Sequence, residues 1–100
     1  MIRPMQCVFS PLAELDLEEI GDYITRDNPS RAVSFIREIR EQCAKIAAMP
    51  LAAPLRHELG QGIRMAPFKH YLIFYTVDAE IIRIERILYG ARNIPALFEA

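Results

Sequence analysis

Tyr71-Leu72-Ile73-Phe74-Tyr75-Thr76-Val77 is followed by Asp78-Ala79-Glu80 and then by Ile81-Ile82-Arg83-Ile84-Glu85-Arg86-Ile87-Leu88-Tyr89-Gly90. Both runs are rich in β-branched and aromatic residues, and a short polar break divides them, which predicts an antiparallel hairpin. The first run is apolar almost throughout, the pattern of a strand covered on both faces in the middle of a sheet. The second alternates at its start, with Ile82 and Ile84 on one face and Arg83 and Glu85 on the other. The alternation then fails, because Arg86 falls on the Ile82/Ile84 face and Ile87-Leu88 is a contiguous apolar pair. Either a bulge intervenes or an arginine points at covered ground.

Upstream of this hairpin, residues 63–66 read as a short strand interrupted at Pro67, a residue that implies a turn or a sheet edge. At the other end of the chain, residues 5–9 read as a first strand stopped by Ser10-Pro11. Ser10 suits an N-cap and Pro11 a first helical position. A helix is predicted over residues 11–26. Ala13, Leu17, Ile20 and Ile24 form its apolar stripe, Leu12, Leu15 and Tyr23 widen it, and Glu14, Glu18, Glu19 and Asp22 occupy the solvent side. Asn28-Pro29 ends this helix and caps a second. The second carries Ala32, Phe35, Ile36, Ile39, Cys43, Ile46 and Ala47 on one stripe, with Arg37/Glu41 and Glu41/Lys45 spaced for outer-face pairing.

The two helices form an antiparallel helical hairpin that needs a sheet to cover its stripes. Residues 50–62 are a connector punctuated by Pro50, Pro54, Gly60 and Gly62, with Leu51, Leu55 and Leu59 expected in the helix–sheet seam. Residues 94–98 make a short apolar tail. The order is β-α-α-β-β-β, an α+β chain whose antiparallel sheet has a helical hairpin packed on one face, within a single domain over residues 1–100.

Composition narrows the function classes. The net charge of −1 gives no basic field for nucleic acid, and the hydrophobic share of 52% leaves apolar surface to be explained by a partner. Cys7 and Cys43 lie in apolar contexts and read as buried free thiols in a reducing compartment. No run is long enough to span a bilayer and no signal-peptide pattern is present, so the expected location is cytoplasmic. No metal-ligand spacing and no cofactor motif occurs. Gly60-Gln61-Gly62 precedes a strand rather than a helix, so it lacks the dipole that makes such loops hold phosphate. His57 has no nucleophile near it in sequence, and the acidic helix face has no histidine or lysine to complete an acid–base pair.

With these elements in place the chain resembles ParE-type toxins of the RelE/ParE superfamily of bacterial toxin–antitoxin modules. The resemblance rests on Asp16-Leu17, Ile20, Tyr23-Ile24, Asn28-Pro29, Phe35-Ile36, Arg56, Glu58-Leu59, Ile63-Arg64, the strand Tyr71-Leu72-Ile73-Phe74-Tyr75 and the ending Arg86-Ile87-Leu88-Tyr89-Gly90-Ala91-Arg92-Asn93-Ile94. The family often has histidine where this chain has Tyr89, and aspartate where it has Asn93.

The resemblance implies a plasmid-stabilisation type of toxin that poisons DNA gyrase and is neutralised by a ParD-like antitoxin. That antitoxin folds onto an apolar track, and the toxin alone makes no direct contact with nucleic acid. The related RelE branch cleaves mRNA on the ribosome with basic side chains and a C-terminal tyrosine. The corresponding positions here are Leu72, for a central-strand arginine, and Phe98, which has no hydroxyl. The resemblance therefore implies a binding toxin without catalytic residues. The alternatives are a ribosome-dependent endonuclease or a non-toxic interaction module. Arg64, Arg86, Tyr89, Arg92 and Phe98 are the candidate antitoxin- or target-binding residues. For Arg86 the competing reading is a structural pair with Asp16 or Glu58, for Arg64 a solvated surface arginine, and for Tyr89 a core ring with its hydroxyl outward.

Overall fold

The computed structural model describes residues 5–90, 94 and 98. The elements are β1 (Gln6–Phe9), α1 (Pro11–Thr25), α2 (Pro29–Ala48), a 3-10 turn (His57–Leu59), β2 (Arg64–Phe68), β3 (Tyr71–Asp78) and β4 (Ile81–Tyr89). Both helix starts follow the sequence rules. The Ser10 hydroxyl accepts the Ala13 N–H at 3.0 Å and Asn28 Oδ1 accepts the Arg31 N–H at 3.1 Å, each with proline next in the chain.

The strands lie in the order β1-β4-β3-β2. The predicted hairpin is formed, with Asp78 opposite Ile81 and Tyr71 opposite Tyr89. The apolar strand β3 is internal, as its composition requires. β1 runs parallel to β4, from Gln6 opposite Ile81 to Phe9 opposite Ile84, so one pair of an otherwise antiparallel sheet is parallel.

Both explanations of the broken alternation in β4 hold together. The register shifts between Phe74 and Tyr75, which face Arg86 and Ile84, leaving Glu85 as the extra residue of a bulge. That extra residue lets Ile87 rejoin Ile82 and Ile84 against the helices, while Leu88 turns to the opposite face. Arg86, next to the bulge, meets the carboxylate of Asp16 on α1.

Two apolar clusters result. The larger fills the space between sheet and helices, with Ala13, Leu17 and Ile20 of α1, Phe35, Ile39, Cys43 and Ile46 of α2, and Ile73, Tyr75, Ile82, Ile84 and Ile87 of the sheet. The smaller lies on the other face, where Leu59, Ile63, Phe74, Leu88 and Ile94 are buried with Met65, Leu72 and Phe98 against them. The connector and the tail thus cover part of the face away from the helices. In the tail, residues 95–97 lie outside the described residues, as does the Gly90-Ala91-Arg92-Asn93 ending beyond Gly90.

Three expectations are corrected. Leu12, Leu15 and Tyr23 do not widen the core stripe. They are 54%, 53% and 66% exposed, because α1 packs on one narrow strip that includes Asp16. Leu51 and Leu55 are exposed rather than tucked into the helix–sheet seam, and Leu59 is buried on the opposite face. Pro67 does not interrupt β2. It pairs with Leu72 inside the strand, tolerated because β2 is an edge and the missing N–H costs no ladder bond on the outer side. His70 lies in the two-residue turn between β2 and β3. No described helix is long and apolar enough to cross a membrane.

Candidate functional site

Among the described residues, the sequence candidates do not converge on one point. Arg86 is committed to Asp16: its Nε and Nη2 donate to the two carboxylate oxygens at 2.8 and 3.0 Å, and only 17% of its side chain is exposed. The hydrogen bond to Asp16, more than the charge itself, pushes the guanidinium above its ordinary value, with Asp16 and Glu19 adding to the field. Arg64 is half-buried and bound to the backbone rather than freely solvated. Its Nη1 donates to the carbonyls of Ala53 at 2.7 Å and Leu51 at 3.3 Å, bracing the connector. Phe98 packs edge-on against Phe74 at 5.0 Å between centroids, on the face away from the helices. Arg92 falls outside the described residues. Tyr89, at the end of β4, is 48% exposed, so its ring is not a core ring.

Tyr89 borders a cavity of about 510 Å³ between α1 and the sheet, lined by Asp16, Glu19, Ile20, Tyr23, His70, Tyr71, Ile87 and Tyr89. Helix geometry explains half of this list. Positions 16, 19, 20 and 23 recur at the three- and four-residue spacing that puts side chains on one face. The other half comes from the closing ends of β3 and β4, where Tyr71 stands opposite Tyr89 with ring centroids 5.7 Å apart. Tyr71 also leans on Phe35 of α2 at 5.7 Å. Burial raises the Tyr71 hydroxyl's pKa, and the nearby Tyr23 and Tyr89 hydroxyls reinforce the shift, so the Tyr71 phenol is a neutral hydrogen-bonding group near neutral pH. The sequence reading singled out Tyr89 but missed Glu19, Tyr23, His70 and Tyr71 as its companions. The helical spacing was visible. That this face looks across to the end of the hairpin was not.

A second, shallower groove of about 820 Å³ runs along the outer seam of α1 and α2. Leu15, Leu17, Ala32, Val33 and Ile36 floor it, and Glu14, Glu18, Asp22 and Arg40 rim it. Leu15 and Val33 are 53% and 69% exposed, which makes this the apolar surface that the composition foreshadowed. Among the described residues no group of three or more His, Cys, Asp or Glu is placed to hold a metal ion. His57 is exposed on the 3-10 turn, where Glu58 pairs with Arg56 at 2.6 Å. The chemistry these two surfaces offer is recognition through apolar contact, aromatic faces and carboxylates.

The family model for the ParE toxin of the type II toxin-antitoxin system parDE matches residues 7–94. A chain of the chromosomal ParDE toxin–antitoxin system from P. aeruginosa has the same fold, with a TM-score of 0.74 and 22% identity over 85% of this chain and 95% of that one. A chain of the RelBE2 toxin–antitoxin complex from Mycobacterium tuberculosis superposes with a TM-score of 0.66 and 24% identity, covering 87% of this chain and 99% of that one. No curated protein matches the sequence.

Proposed function

Because the chain belongs to the ParE toxin family of type II toxin–antitoxin systems, we propose that it is a toxin that acts by binding DNA gyrase and is neutralised by a ParD-like antitoxin in the cytoplasm. The observation that carries this reading is the family match across residues 7–94, which runs from Cys7 of β1 past the end of β4. The apolar groove along α1 and α2 supports an antitoxin partner, since a segment that folds on binding needs apolar surface to offset its loss of conformational entropy.

Two side chains favour binding over RNA cleavage. Leu72 occupies the position where the nuclease branch has a strand arginine, and Phe98 the position of its tyrosine. Leu72 offers no charge to steady a phosphate, and Phe98 has no hydroxyl and is packed on Phe74. Arg86 is taken up by Asp16, and an arginine does not readily give up its proton as a general base must. Of the candidate contact residues, Tyr89 and Arg92 are retained as partner-facing. Arg64, Arg86 and Phe98 contribute through the surfaces they hold in place.

Induction of the chain without antitoxin tests this. The expected result is a block in replication with a DNA-damage response, relieved by co-expression of the antitoxin, and inhibition of gyrase supercoiling by the purified chain. Immediate translation arrest with mRNA cut inside ribosomes would overturn it, and so would normal growth with abundant folded chain.

A further inference from the structure

The cavity between α1 and the ends of β3 and β4 has a composition that points to a particular occupant. Three of the four tyrosines of the chain line it, two of them at its rim with much of their rings exposed. Its charged groups are Asp16, Glu19 and, beside them, Arg86. Asp16 is saturated by both arms of Arg86 and by the Ile87 N–H at 2.9 Å. Glu19 makes no ion pair with any described residue. Among the described residues two carboxylates therefore face one guanidinium, which leaves a negative charge in excess beside three tyrosine rings. His70 lines the mouth.

Ring faces carry negative potential and attract a cation laid over them, and a planar guanidinium can stack on tyrosine while its N–H groups reach a carboxylate. The cavity, about 510 Å³, is larger than one side chain and admits a guanidinium together with part of the chain that carries it. We propose that this cavity is a recognition pocket for an arginine side chain presented by a partner polypeptide, with Tyr23, Tyr71 and Tyr89 as the cage and Glu19 as the counter-charge. A polypeptide fits better than a free cation because the rim rings, Tyr23 and Tyr89, stay open to solvent unless a chain passes over them. The pocket is separate from the α1–α2 groove and does not depend on gyrase being the toxin's target.

The chain contains no tryptophan, so its intrinsic emission comes from tyrosine and mostly from this cavity. The test titrates the full chain, at fixed ionic strength, with the peptide acetyl-Gly-Arg-Gly-amide. The same peptide with citrulline in place of arginine, and methylguanidinium, serve as comparators. Saturable quenching is expected with the arginine peptide, weaker by about tenfold or more with citrulline, which keeps the shape and loses the charge. Glu19→Gln should weaken arginine binding by up to about fivefold and Tyr23→Ala by about threefold. Both side chains are exposed, so neither change threatens the fold. Glu41→Gln, exposed on α2 and outside both the cavity and the groove, should leave binding unchanged. Equal binding of the citrulline peptide, an equal loss with Glu41→Gln, or no saturable signal from the folded chain would overturn the pocket. Methylguanidinium binding as tightly as the peptide would overturn the polypeptide as its occupant.

Discussion

Asp16 and Arg86, seventy positions apart, are joined by two parallel hydrogen bonds of 2.8 and 3.0 Å, and the same carboxylate accepts the Ile87 N–H at 2.9 Å. The contact follows from where β1 stops. Phe9 is the last residue of β1 paired with β4, opposite Ile84. The chain then turns into α1, and the backbone groups of β4 beyond Ile84 lose their strand neighbour. α1 supplies the replacements. The Ser10 hydroxyl donates to the Glu85 carbonyl at 2.7 Å while capping the helix, and Asp16, on the helix's second turn, takes the Ile87 N–H. The helix thus completes the edge of the bulged strand, and Arg86 neutralises the buried acid that does so.

Removing Asp16 is therefore expected to be costly. Asp16→Ala leaves a mostly buried guanidinium and a backbone N–H without partners, for a loss of about 3–5 kcal/mol. Glu14→Ala, on the same helix as Asp16, breaks only the surface pair with Arg40 of α2 and should cost less than about 1 kcal/mol. Urea denaturation of the two variants checks this. Similar midpoints would mean that the Asp16 pair carries no special share of the stability.

Arg64 should behave as a brace for the connector. Arg64→Ala removes its bonds to the Leu51 and Ala53 carbonyls, while Tyr75 still holds the Pro50 carbonyl at 2.8 Å. The expected outcome is faster hydrogen exchange and proteolysis confined to residues 50–62, with a global loss of about 1–3 kcal/mol. Unchanged exchange in the connector, together with lost partner binding, would return Arg64 to the contact surface.

Acid should weaken the contact between α2 and the turn after β2. Hydrogen bonds from Arg31 and then Lys69 hold the Glu38 carboxyl below the ordinary glutamate range. A lowered value in the folded state means that the unfolded chain takes up the proton first. The stabilisation is complete above the unfolded value of about 4.3 and fades as pH falls through the lower folded one. The Glu58 carboxyl, beside Arg56, is shifted in the same direction. Between about pH 5 and about pH 3, wild type should lose more stability than Glu38→Gln, so the gap between them narrows. Parallel pH profiles for the two proteins would exclude Glu38 as a contributor.

The two thiols should react in a fixed order. Burial above all, with the nearby Cys7 adding and Arg40 opposing, pushes Cys43 up to about 12. Cys7 is raised too, again by burial and against Arg40, but is only half-buried. Iodoacetamide on the native chain should therefore label Cys7 first and reach Cys43 only through opening of the fold. Peptide mass analysis reads the order directly, and early labelling of Cys43 would contradict it.

The β3–β4 turn carries a local conflict. Ala79 sits at φ +43° in a two-residue turn that favours glycine there. Ala79→Gly should stabilise the fold by about 0.5–1 kcal/mol, seen as a raised thermal midpoint. Lys69, at φ +55° in the equivalent place after β2, should not gain in the same way. Its ammonium bonds Glu38 at 3.2 Å and lies over the rings of Phe35 and Phe68.

Local chemistry was enough to find the secondary elements from the amino acids in order. Proline after a capping residue started both helices, and the solid apolar run of residues 71–77 identified an internal strand. The failed alternation after Ile84 announced the bulge. These signals are legible because each depends on neighbours along the chain, through backbone sterics, capping and periodicity. What the sequence could not settle was which side chains on a face meet a partner and which meet water. Leu12, Leu15 and Tyr23 have the pattern of core residues and are exposed, while Asp16 has the character of a surface residue and is buried. That choice was made by the end of β1 and the shift in β4. Together they turned Asp16 toward Arg86 and brought Tyr23 of α1 to the same cavity as Tyr71 and Tyr89. Contacts across seventy residues depend on how elements pack, and packing is a property of the assembled layers rather than of any stretch of chain.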